Sequence, residues 1–262
     1  MSTIWISPDV LSWHTSNKGW QEQDQRLLRR AHSIWLHADQ TLENSLTELQ
    51  RTDGITALKR ALNHRLQLLS KIYLLNQIPI VNKPAGTLQI LERLGVIKRV
   101  LLNKLLTIRN AIEHDDAAPP SLVDSQELSE FVWYFLRSTD VLVDRLAINF
   151  GLKEFDQQFD FFSFEAWGRG VLIETGPHSS WRVEVQGVLA QDLVSKDSRS
   201  DWIPIITSSL ISREEWLQRN EYGFDTENDA EPHELGDYFF EGKFDGDSDQ
   251  LMHIYQLYFR VL

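Results

Sequence analysis

From about Trp20 to Asn149 the apolar residues recur three and four positions apart, and beyond Gly151 they recur two apart. The first spacing lines one side of a helix and the second one face of a strand. Leu27, Ala31, Ile34, Ala38, Leu42 and Leu46 predict a helix from about Trp20 to Leu49. Leu58, Leu62, Leu66, Leu69 and Ile72 predict a second from about Ile55 to Leu75, with Asp53–Gly54 as the break between them. The stretch NQIPIVNKPAG, rich in breakers, reads as a loop; a short helix from Thr87 to Leu94 follows, and Gly95 ends it. Val96–His114 contains neither Gly nor Pro, and Ile97, Leu101, Leu105, Ile108 and Ile112 form its apolar stripe. DDAAPP stops that helix, and Ser121 or Asp124 caps another running to about Asn149, with Leu128, Phe131, Phe135, Leu142 and Leu146 facing inward.

The texture then changes. GVLIETG, WRVEVQGVLA and DWIPIIT are short, rich in aromatic and β-branched residues, and punctuated by Gly and Asp. FDFFSFEAWG has the same character, SREEWLQRN reads as one short helix, DTENDAEPHELGD as an acidic loop, and the final MHIYQLYFRVL as a terminal strand. Residues 1–19, with Trp5 and Trp13, read as an extended segment containing one short strand. The expected fold is α+β: an N-terminal antiparallel helical bundle over residues 1–150, followed by a smaller, mainly antiparallel β domain over 151–262.

Charge divides along the same line. The net charge is −12, but residues 1–150 carry 17 Lys/Arg against 16 Asp/Glu, and residues 151–262 carry 9 against 22. Phosphate contacts need cations, so only the first half suits a nucleic acid, while the acidic half suits a basic protein partner. The chain has no Cys, which excludes disulfides, cysteine-ligated metal and a thiol nucleophile. No apolar run reaches the roughly 20 residues that span a bilayer, and the first residues lack a secretory pattern, so a cytoplasmic protein without a membrane partner is expected.

Several clusters carry little chemistry. Arg26, Arg29 and Arg30 read first as a solvated face and second as a phosphate-contacting patch. His32 and His37, five apart, are poorly spaced for shared metal ligation, so no metal is expected there. Asp245, Asp247 and Asp249 resemble a calcium loop faintly, but Gln250 and Gln256 occupy the positions that require Gly and an acidic ligand. Asp9 and His14 read as structural. No phosphate-binding glycine loop or other cofactor motif is present, and no cofactor is expected.

The strongest signal is R-N-x-x-x-H: Arg109, Asn110 and His114, at the polar end of the Val96–His114 helix. An Arg pairs with phosphate oxygens and a His moves protons near neutral pH, which together suit attack of an RNA 2′-hydroxyl on its own phosphate without a metal. On an ideal helix Arg109 and His114 stand about 140° apart. The reach of Arg, a frayed helix end or a second copy of the motif across a two-fold axis would bring them together. A late helix ending in this motif, preceded by LERLGVIKRVLLNKLLTI, resembles the HEPN superfamily over about residues 20–150. The resemblance implies a helical bundle that forms a homodimer, with Arg109, Asn110 and His114 as catalytic residues of a metal-independent endoribonuclease. It further implies RNA as substrate, and a toxin or defence setting with a possible antitoxin. Asp116 stands where some toxin members carry a Tyr, so regulation through that Tyr does not transfer. The alternative is a non-catalytic dimerisation or nucleotide- or RNA-binding module, whose acidic β domain recruits a partner.

Overall fold

Thr47 starts the longest helix. Its hydroxyl accepts from the Gln50 amide at 3.3 Å, and Gln50 Oε1 accepts from the Thr47 amide at 3.1 Å, a reciprocal cap that satisfies two otherwise orphaned donors. The computed structural model describes residues 2–24, 26–110, 118–153, 169–212 and 238–262. Among these, seven α-helices and eight strands form two units.

One unit comprises Gln21–Leu146, with Leu262. Its helices are α1 (Arg26–Glu43), α2 (Glu48–Ile72), α3 (Thr87–Arg93), α4 (Arg99–Asn110), α5 (Leu122–Ser138) and α6 (Asp140–Asp144). Ile55, Leu58, Leu62, Leu66 and Leu69 bury the stripe of α2 against Ala31, Ala38 and Leu42 of α1 and against Leu128, Val132, Phe135 and Leu136 of α5. Asp53–Gly54 does not break the chain there, because α2 runs through it. Gly54 is buried, and a Cβ on it would lie 2.6 Å from the Leu42 side chain, so the glycine lets α1 and α2 approach closely. The α1 helix stops at Glu43, which leaves Leu46 exposed. Gly95, at φ 78°, ends α3: the Gly95 amide donates to Glu92 O at 3.0 Å and the Val96 amide to Leu91 O at 2.9 Å. Ser121, rather than Asp124, caps α5, its hydroxyl accepting from the Asp124 amide at 3.1 Å.

The other unit comprises residues 1–20 and 147–261. The antiparallel sheet has the strand order β2-β3-β4-β5-β8-β7-β1-β6. The strands are β1 (Ser2–Ile6), β2 (His14–Glu22), β3 (Arg145–Lys153), β4 (Gly170–Glu174), β5 (Glu184–Leu189), β6 (Val194–Ser195), β7 (Ile203–Ser212) and β8 (Tyr238–Phe244). The β1 strand pairs with β7 in the register Ile4↔Ile205, and β3 with β4 in the register Phe150↔Ile173. A bulge separates Thr207 from Ser209 where β7 meets β8.

The fold class therefore differs from a helical bundle followed by a small β domain. The first residues contribute two strands rather than one, and β1 lies inside the sheet between β7 and β6. The segment near Asn149 is strand β3, because α5 stops at Ser138 and α6 at Asp144. Gly151 lies within β3, where it pairs with Leu172. The final residues are a helix, α7 (Ser248–Arg260). Asp247 Oδ1 accepts from the amides of Asp249 and Gln250 at 2.9 Å each, and Gln250 Oε1 accepts from the Asp247 amide at 3.1 Å. This cap outweighs the strand preference of the aromatics that follow.

The β unit closes on Trp181. It is buried, it stacks on Phe259 at 5.9 Å between ring centroids, and it meets Tyr255 and Tyr258 edge-on at 5.4 and 5.3 Å. The Tyr255 hydroxyl donates to Trp181 O at 2.9 Å and the Tyr258 hydroxyl to Ala147 O at 2.8 Å, so neither buried phenol is left unpaired. Burial pushes both phenols above their ordinary pKa. FDFFSFEAWG, SREEWLQRN and DTENDAEPHELGD lie outside the described residues, apart from Ser212 at the end of β7. No helix among the described residues is long and apolar enough to cross a membrane.

Candidate functional site

The α4 helix is held at its start and along its side. The Arg99 guanidinium approaches Glu92 Oε1 at 3.5 Å, and Lys104 Nζ reaches Glu127 Oε2 of α5 at 3.3 Å. The same ammonium stands 5.2 Å from the centre of the Phe131 ring. Between α4 and α5 lies a groove of about 520 Å³ lined by Val100, Asn103, Lys104, Thr107, Pro120, Asp124, Glu127 and Leu128. The groove carries one ammonium and two carboxylates, and Glu127 already engages the ammonium.

Arg109 and Asn110 are the final two residues of α4 as described, and their side chains lie outside the described residues. His114 lies outside them entirely, so the helix expected over Val96–His114 is described only from Arg99 to Asn110. Val96 and Ile97 belong to the turn that closes α3.

A second polar cluster joins α1, α2, α5 and α6. Asp140 Oδ1 accepts from Arg65 Nη2 at 2.8 Å, Oδ2 accepts from Arg137 Nη1 at 3.3 Å, and His32 Nε2 lies 2.9 Å from Oδ1 and 3.1 Å from Oδ2. Arg65 is fully buried; its Nη1 donates to Leu136 O at 3.3 Å and to Thr139 Oγ1 at 3.2 Å. A buried guanidinium needs such partners, because an unpaired buried charge costs several kcal/mol. Burial, with Arg30 and Arg65 nearby, holds His64 below the ordinary histidine pKa. A further link ties α1 to α5: Trp35 Nε1 donates to Ser129 O at 3.0 Å, and Ser129 Oγ donates to Asp39 Oδ1 at 2.7 Å.

The sequence reading assigned a role to neither Arg65 nor Asp140. The spacing did contain the signal, because position 65 falls between Leu62 and Leu69 on the buried stripe. The partner of His32 is Asp140, 108 residues away. Among the described residues no group of three or more His, Cys, Asp or Glu could hold a metal ion. Asp247 is a helix cap and Asp249 stands in the first turn of α7. Of the predicted arginine patch, Arg26 is engaged by Asp24 at 2.6 Å, and its hydrogen bonds draw the Asp24 carboxyl down to about 2. Arg29 and Arg30 are exposed, with no ion pair to any described residue.

Comparison of the chain with known protein families, with curated proteins and with solved structures finds no match.

Proposed function

We propose that the chain is a metal-independent endoribonuclease of the HEPN type, acting as a cytoplasmic homodimer in a toxin or defence setting. The observation that carries the reading is R-N-x-x-x-H over residues 109–114, whose Arg109 and Asn110 close the described part of α4 in a helical unit. That unit carries 16 Lys/Arg against 15 Asp/Glu over residues 21–146, so its charge does not oppose a polyanion as the remainder's does.

In this reading the 2′-hydroxyl of RNA attacks the adjacent phosphorus. The hydroxyl proton passes to a base, and the 5′-oxygen leaves with a proton from an acid. The products are a 2′,3′-cyclic phosphate and a 5′-hydroxyl. His114 supplies proton transfer, Arg109 neutralises the charge that develops on the phosphorane, and Asn110 orients one or the other.

The test is RNA cleavage in excess EDTA by the wild type and by Arg109→Ala and His114→Ala, each checked for folding and dimer state. Loss of the proton-transfer group should lower the rate by about a hundredfold or more. Retained cleavage by folded His114→Ala would reject the mechanism.

One observation favours a second reading, a binding or dimerisation module without catalysis. The described wall of the α4–α5 groove carries Asp124 and Glu127, and its one cation, Lys104, is already paired. Homodimers that bind RNA without cleaving it, in all three proteins, would establish that reading.

A further inference from the structure

The chain holds 38 Asp and Glu in 262 residues, yet none falls between Asp24 and Asp39 or between Asp53 and Glu92. The first gap covers most of α1, and the second covers α2 from Gly54 onward and reaches into α3. Of the carboxylates that bound them, Asp24 pairs with Arg26, Asp39 accepts from Ser129 and Glu92 meets Arg99. The two helices pack on one another, and a Cβ on Gly54 would lie 2.6 Å from the Leu42 side chain and 3.5 Å from Ala38 O. An antiparallel pair in that register sets Arg30 opposite His64. The charge of Arg30 does bear on His64, whose buried Nδ1 has no hydrogen-bond partner among the described residues. Arg60, His64, Gln67 and Lys71 follow one another at steps of four, three and four, a single line along α2. Arg30, Arg60 and Lys71 are exposed and have no ion pair to a described residue.

A groove of about 550 Å³ adjoins this line, walled by α2, the turn that follows it and the first residue of α3. Its polar side chains are Asn63, Gln67, Ser70, Asn76, Gln77 and Thr87, and Lys71 is its one ionisable residue. None of those six neutral side chains hydrogen-bonds to a described residue. By contrast Ser33, Thr52 and Thr56, on the same two helices, turn their hydroxyls onto carbonyls four residues earlier. The groove is nonetheless built. Lys83 Nζ donates to Leu75 O at 3.4 Å and to Asn76 O at 2.8 Å, and the Gln77 amide donates to Leu74 O at 2.7 Å, which fixes the turn that carries Asn76 and Gln77. Sites for small molecules run from about 300 to 1,000 Å³, so the groove has room for one nucleotide.

We propose that this carboxylate-free face, Arg30 of α1 with Arg60 and Lys71 of α2 and the adjoining groove, binds single-stranded nucleic acid. The three cations take phosphates, and the groove takes one base with its sugar. Arg60 and Lys71 are eleven residues apart, roughly 16 Å along the helix, a span that covers several linkages. Carboxamides and hydroxyls both donate and accept, as base edges and sugar hydroxyls require, and an unpaired strand leaves those edges free. An acidic protein segment would use the cations and leave the six neutral groups idle. The proposal uses none of Arg109, Asn110 and His114 and does not rest on their assignment.

The experiment is fluorescence anisotropy of the full chain with a labelled oligodeoxythymidylate of about twelve nucleotides, within the span that single-strand binders cover. This probe has no 2′-hydroxyl, so binding is read without cleavage. Expected is binding by the wild type that weakens with salt. Joint replacement Arg60→Ala and Lys71→Ala should weaken it and flatten the logarithmic salt slope by about 0.7 per cation removed. Joint replacement Asn63→Ala and Gln67→Ala should weaken it by about tenfold with the salt slope unchanged, because it removes hydrogen bonds and no charge. Arg182→Ala, an exposed arginine of the β unit, should bind as the wild type does. Circular dichroism establishes that each variant is folded. No binding by the wild type overturns the proposal, as does binding by the α2 variants within about twofold of it. Displacement of the probe by polyglutamate as readily as by unlabelled oligonucleotide also overturns it, and makes the face a site for an acidic protein. Equal affinity for a duplex of the same length overturns the role given to the groove. Binding by a chain that cleaves no RNA supports the proposal and rejects the nuclease reading alone.

Discussion

The helical unit and the β unit solve one problem with opposite chemistry. Each has to fix one arrangement among the many that apolar packing alone would tolerate. The helical unit buries a charge, Arg65, and surrounds it with Asp140, Thr139 and the Leu136 carbonyl. The β unit buries Trp181 among Tyr255, Tyr258 and Phe259, and spends polar groups only where two phenols meet backbone carbonyls. A buried ion pair contributes little net stability but is costly to break, whereas an aromatic cluster stabilises through the area it removes from water. The two units should therefore fail differently.

The sharpest contrast comes from truncating each centre. Trp181→Ala should cost about 3–5 kcal/mol, because it leaves a large cavity. Asp140→Ala should cost about 3 kcal/mol, the lower end for breaking a buried pair, because Asp140 is itself partly exposed. Native-state hydrogen exchange should assign the first loss to residues 1–20 and 147–261 and the second to residues 21–146. A uniform loss of protection in either variant would break the comparison.

A smaller effect tests how tightly α1 and α2 meet. Alanine normally favours a helix over glycine, yet Gly54→Ala should destabilise by about 1–3 kcal/mol, since its methyl would collide with buried Leu42. Urea denaturation showing a gain would mean that the pair can spread.

The smallest effect is shared by both units. His64 in the helical unit and His253 in α7 are each held below the ordinary histidine pKa, first by burial. The unfolded chain then binds protons that the folded one refuses, so both contribute stability above about pH 6.5 that is lost as pH falls through that value. His64→Gln should flatten this dependence in the helical unit only. An unchanged pH profile of protection over residues 21–146 would assign the effect elsewhere.

Much of the helical unit was legible because long stripes at helical spacing leave few alternatives: α2, α3, α4 and α5 lie where Leu58–Leu69, Thr87–Leu94, Leu101–Ile108 and Leu128–Phe135 put them, although Ile97 falls before α4. Some of the failures were local, although the fold class itself failed because β1 and β2 join the sheet from the start of the chain. Gly54 read as a breaker, but a close helix crossing needs a residue without a side chain. The aromatics of α7 read as a strand, although Asp247 and Gln250 at three-residue spacing spell a capping box. What no periodicity could show was long-range partnership: His32 with Asp140, or β1 beside β7. At the candidate site residue types and spacing for Arg109, Asn110 and His114 come from the sequence, and the structure adds that the first two close the described part of α4.

The pairing of β1 with β7 also sets a schedule. Ser2 and Thr207 are 205 residues apart, and both of their hydroxyls take part in the contact between the two strands. At the usual pace of translation, β1 waits roughly ten to forty seconds for its neighbour to be made. During that interval residues 21–146 are complete and can assemble from contiguous sequence, while Ile4 and Ile6 have no sheet to enter. Vectorial synthesis thus divides the chain in time: an early, locally built half, and a late half that closes only when its opening and later segments meet. Of the eight described strands, the one made earliest is among the last to find its place, because its neighbours β7 and β6 are made so much later.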